Sequence, residues 1–91
     1  MKNEEILKNL WRDEVVNSKK RNLLRLVGSI CGIKESQARQ RMCGYSSTND
    51  AELFEIVEIL RCNNVNVEDY EGEIRKKKCK YFGGYEAIDF E

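Results

Sequence analysis

The 91-residue chain has no histidine, no proline and a single tryptophan. Without histidine it lacks the side chain most often used as a general base or metal ligand near neutral pH. The four cysteines, Cys31, Cys43, Cys62 and Cys79, stand 12, 19 and 17 positions apart and form no C-x-x-C pair, which argues against a zinc site. There is no phosphate-binding glycine loop either. The usual means of activating a nucleophile or a water are therefore missing, and no cysteine has a partner base in the sequence. The expectation is a protein that is not an enzyme and carries no metal or cofactor. No apolar run approaches the length of a signal-peptide core or a membrane span, and the opening MKNEE is polar and acidic. That composition suits a cytoplasmic globular protein without a membrane partner. In a reducing compartment the cysteines are read as small core hydrophobes rather than as disulfides.

What is present is charge, and it is segregated. The chain balances 16 basic against 16 acidic residues. Residues 18–48 nevertheless hold seven cations against Glu35 alone, a net +6, and residues 49–73 hold eight acids against Arg61, a net −7. Residues 74–80 then add +5. Two basic blocks thus bracket an acidic one, a pattern that lets a neutral protein offer a local polyanion site.

With no proline, helices must end at Gly and Asn. From Glu4 to Val16, Ile6, Leu7, Leu10, Trp11 and Val15 fall at helical spacing and define a first helix. Asn17 and Ser18 can break it and cap a second, in which Leu23, Leu24, Leu26, Val27 and Ile30 continue the apolar period through Cys31. Gly28, costly inside a helix, is read as leaving room for another helix to approach. Gly32 follows the last turn, where a left-handed C-cap residue is expected.

A third helix is expected from Glu35 to Cys43, with Ala38 and Met42 facing inward and Gly44 ending it. That leaves Ser36, Gln37, Arg39, Gln40 and Arg41 outward or sideways. Gln and Arg make paired hydrogen bonds to adenine and guanine edges in the major groove, while Lys and Ser commonly hold phosphates. Asn49 with Glu52 three residues on has the form of a capping box, and Leu53, Ile56, Val57 and Leu60 make the stripe of a fourth helix. A short fifth helical turn opens at Asn66.

Five short helices with a tight turn between the second and third resemble the Cro and lambda-repressor-like helix-turn-helix family, particularly its small phage-type regulators. The resemblance covers residues 4 to 70. It rests on Gly32 at the turn, Ile33 beside it, Gly44 after the third helix, and Leu53, Ile56 and Leu60 in the fourth. Ala38 is smaller than the inward residue usual in the family, Gly28 stands where alanine is more usual, and Arg41 lies where many relatives are apolar. The resemblance implies a recognition helix at Glu35 to Arg41 and a sequence-specific transcriptional repressor of duplex DNA. In that reading Gln37, Arg39 and Gln40 touch base edges, while Lys19, Lys20, Lys34, Ser36 and Arg41 hold phosphates.

After this domain, residues 1–73, a β-hairpin is expected over residues 74–91. Ile74 to Phe82 and Tyr85 to Phe90 flank Gly83 and Gly84, a two-residue link typical of hairpins. Pairing Phe82 with Tyr85 sets Cys79, Tyr81, Ile88 and Phe90 on one face and opposes Lys78 to Asp89. Such a hairpin must dock on its own domain or pair with a second copy, because two strands alone are marginal. Cro-like proteins often dimerise through C-terminal strands, so the resemblance implies a homodimer on a two-fold operator. A different reading keeps the fold but changes the partner. The helix-turn-helix would then bind protein, as a phage-encoded inhibitor of a host defence nuclease of the anti-CRISPR kind does, with the acidic run Asp50 to Glu73 imitating phosphates.

Overall fold

The computed structural model describes residues 1–81, which are mainly helical and contain no strand. Helix α1 spans Asn3–Asp13, α2 Asn17–Cys31, α3 Glu35–Met42 and α4 Asp50–Cys62. A single 3-10 turn, Glu68–Tyr70, leads into α5, Glu71–Tyr81.

One apolar cluster holds these elements together. Ile6, Leu7 and Leu10 of α1, Leu53, Ile56 and Leu60 of α4, and Val27 and Met42 between them have no exposure at all. Burying each such side chain contributes about 1.5–3 kcal/mol. Helix α3 packs against both α1 and α2, while α4 packs against α1, α2 and α5. The apolar stripe of α2 is narrower than its period suggests. Leu23, Leu24 and Val27 are buried, but Leu26 and Ile30 are 38% and 53% exposed because they lie away from α3 and α4. The cysteines are likewise not core residues: Cys31 and Cys43 are half-buried against the core, Cys79 is half-buried on α5 and Cys62 is exposed. All four are free thiols.

Helix ends follow the backbone more than the expected caps. Val16, not Asn17 or Ser18, precedes α2, in extended conformation and with no side chain to accept its first amides. At the other end Gly32 adopts φ 69°, and Ile33 N–H donates to the Gly28 carbonyl at 2.9 Å, closing a Schellman-type turn. A Cβ on Gly28 would sit 2.9 Å from the Ile33 carbonyl oxygen and 3.7 Å from Glu35 N. Gly28 therefore makes room for the turn and for the first residue of α3, the start of the helix that approaches α2 here. Asn49 caps α4 by accepting from Glu52 N–H at 2.8 Å.

The expected hairpin is not formed in the described residues. Its first arm, Ile74 to Tyr81, is helix α5; Phe82, Gly83, Gly84 and the second arm with Ile88 and Phe90 lie outside the described residues. The segment EGEIRKKKCKY consists mostly of good helix formers. Its acids, Glu71 and Glu73, stand at the helix start and its cations, Lys78 and Lys80, at the end, matching the helix dipole. Ile74 is its one buried residue. Cys79 and Tyr81, two positions apart, consequently point to different sides rather than sharing a face. The Tyr81 ring meets Phe54 of α4 edge-on at 5.7 Å.

Candidate nucleic-acid interface

The short helix α3 is anchored by the turn before it and by two inward side chains, Ala38 and Met42, both fully buried. This leaves its remaining surface outward. Ser36, Gln37, Arg39 and Gln40 are exposed, as are Lys34 at its N-cap and Lys19 on α2. Exposure alone does not make these side chains available, and their hydrogen bonds separate them.

Gln37 Oε1 accepts from Lys34 N–H at 3.0 Å, completing the start of α3. Gln40 Oε1 accepts from the Ser46 hydroxyl at 3.2 Å. Arg41 is drawn aside altogether: its Nε lies 3.3 Å from Glu52 Oε1, and both side chains are at least three-quarters buried. Glu52 thus does not return to its own helix start as a capping box requires. It ties the end of α3 to the beginning of α4. Among the three expected base-contacting residues, Arg39 alone has a side chain with neither a hydrogen bond nor an ion pair within the described residues.

Arg39 borders an open groove of about 510 Å³ that also takes in Trp11, Asn17, Lys20, Arg21 and Glu35. Lys20 Nζ stands 5.2 Å over the Trp11 ring, which places its charge at the groove. Glu35 pairs loosely with Arg25, at 3.8 Å and with both side chains about half exposed, and sets one negative charge against the three cations Lys20, Arg21 and Arg39, leaving the groove net positive. The groove accordingly brings together Arg39 and Lys20 and adds Arg21, which was not among the expected contacts. The signal for Arg21 is its place directly after Lys19 and Lys20, one helical turn before Arg25. Lys19, Lys34 and Ser36 lie outside this groove.

Cys31, at the end of α2, is chemically quiet. Burial, reinforced by the Glu55 carboxylate 3.8 Å away, pushes the Cys31 thiol up to about 11, so it stays protonated and weakly nucleophilic near neutral pH. Among the described residues no three His, Cys, Asp or Glu side chains gather as a metal ion requires, and no helix is long and apolar enough to cross a membrane. The chain matches no protein-family model, no curated protein and no solved structure.

Proposed function

We propose that the protein is a small helix-turn-helix regulator of the Cro and lambda-repressor-like kind that binds duplex DNA through α3. The observation that carries this reading is the unpaired, exposed Arg39 on a short helix whose inner side is buried, beside a groove to which Lys20 and Arg21 add charge. Arg39 then reads a base edge, and Lys20, Arg21, Lys19, Lys34 and Ser36 hold backbone phosphates. Gln37 and Gln40 contribute chiefly through their amide NH₂ groups, since each carbonyl oxygen already accepts one hydrogen bond within the chain. Arg41 serves α3 through Glu52 rather than a phosphate. A homodimer on a two-fold site belongs to this reading, without a shared strand face of Cys79 and Tyr81, which lie on different sides of α5.

Selection of bound duplexes from a random pool at low salt, followed by gel shift across a salt series, tests the proposal. Specific binding should weaken steeply with salt, and Arg39→Ala should cost about 1–3 kcal/mol on the selected duplex. Recovery of no duplex would sink it.

A second reading has one observation in its favour: Gln37, Gln40 and Arg41 all spend hydrogen-bonding capacity inside the chain. A protein-binding module, such as a phage inhibitor of a host nuclease, needs no base-reading groups and could present Glu55 and Glu58, exposed on α4. Binding to a purified nuclease that survives removal of all DNA, with no duplex selected from the pool, would favour it.

A further inference from the structure

Helix α5 carries a second cationic surface, remote in sequence from α3. Arg75, Lys76, Lys77 and Lys80 border an open cleft of about 810 Å³ that runs past Asp50 at the start of α4. None of the four has an ion-pair partner among the described residues. The neighbouring acids are already engaged. Glu73 faces the N-terminal ammonium at 3.4 Å, Glu71 pairs with Arg61, and Asp50 accepts from Asn3 Nδ2 at 2.8 Å. The four cations of the cleft outnumber its two carboxylates, Asp50 and Glu73, and Glu73 is matched by the N-terminal ammonium, so the cleft is left net positive.

We propose that α5 grips the phosphate backbone of duplex DNA without reading its sequence, as a contact separate from α3. Two features select this partner. Lys76, Lys77 and Lys80 fall within about 100° of one another around the helix and span about 6 Å of its axis, against about 3.4 Å of duplex axis per phosphate on one strand, so their long side chains reach two or three neighbouring phosphates. A lipid surface would need apolar side chains beside the cations. Here Ile74 is turned into the core, Tyr81, half exposed, meets Phe54 and does not border the cleft, and among the described residues Met1 is the one large exposed apolar side chain beside the cations, too little for insertion into a bilayer. The contact does not depend on whether Arg39 reads a base.

The full chain is titrated against a fluorescent duplex of arbitrary sequence across a salt series, alongside a variant combining Lys76→Gln, Lys77→Gln and Lys80→Gln, and alongside Arg39→Ala. The triple variant should bind about tenfold or more weakly at low salt and lose about 2 to 3 from the slope of log affinity against log salt, while Arg39→Ala loses about 1 at most. Circular dichroism checks that the triple variant is folded. If it is not, each single Lys→Gln change should still remove about 1 from the slope. Unchanged affinity and slope in the lysine variants overturns the inference, even where Arg39→Ala weakens a selected duplex. Stronger retention on vesicles containing phosphatidylserine than on duplex also overturns it, as does failure of the unaltered chain to bind any duplex. Loss confined to the lysine variants, with Arg39→Ala neutral on every duplex, leaves α5 as the DNA contact and removes base reading by α3.

Discussion

Single residues decide how α3 is presented. Gly28 has no space for a side chain, because a Cβ would meet the Ile33 carbonyl, a backbone atom that cannot rotate away. Gly28→Ala gains about 1 kcal/mol of helix propensity but pushes the turn off α2, a clash of the kind that costs about 1–3 kcal/mol. The expected net result is a lower melting temperature together with weaker DNA binding, measured by thermal denaturation and gel shift; a stabilised variant with unaltered binding would contradict the role given to this position. Arg41 shows a different residue-scale principle. A guanidinium placed beside a sheltered carboxylate stays with it, which removes from the surface a cation that the linear sequence counts as free.

At the scale of elements, stability is unevenly shared. Helices α1 and α4 each bury several residues without exposure, whereas α5 is held to the domain mainly by Ile74 and the Phe54–Tyr81 contact. Ile74→Ala should therefore free α5 at a cost of about 2–5 kcal/mol to that helix's docking. Hydrogen exchange should show α5 amides losing protection while those of α1 and α4 keep theirs; equal loss throughout would mean that α5 is integral to the cooperative unit. This division also explains what could be read beforehand. The first four helices were legible because their apolar periods match the core they build, and Gly32 announced the turn because only a left-handed residue ends α2 there. Helix α5 was misread because Gly83 and Gly84 signal a hairpin strongly, while a highly charged helix with one buried residue leaves almost no periodicity. The pairing of Arg41 with Glu52 left no trace at all in the sequence, since it depends on how the end of α3 and the start of α4 meet in space. Arg39 is legible as a candidate because it lies on the outer side of α3, exposed among the described residues.

For the whole molecule, a net charge of zero conceals alternating blocks, basic, acidic and basic again. Oppositely charged faces on separate copies attract when salt is low and cease to do so once the screening length falls to a few ångströms. Sedimentation should accordingly show association at about 0.01 M salt that reverts to monomer near 1 M, where the screening length is about 3 Å. A dimer that survives high salt would instead be held by apolar contact, for which exposed Leu26 and Ile30 on α2 are candidates among the described residues. The two outcomes lead to different regulators. One assembles only on its polyanion, and the other arrives as a preformed pair.

The position of Trp11 has a practical consequence. It is the only indole in the chain, it is 8% exposed at the edge of the core, and it forms the floor on which Lys20 rests. The protein thus carries its own optical probe. Indole emission reports loss of the core when the chain unfolds, and it changes in the folded state when an anion draws the Lys20 ammonium off the ring. Occupancy of the groove can therefore be followed in the unlabelled protein, without any alteration of the surface under test.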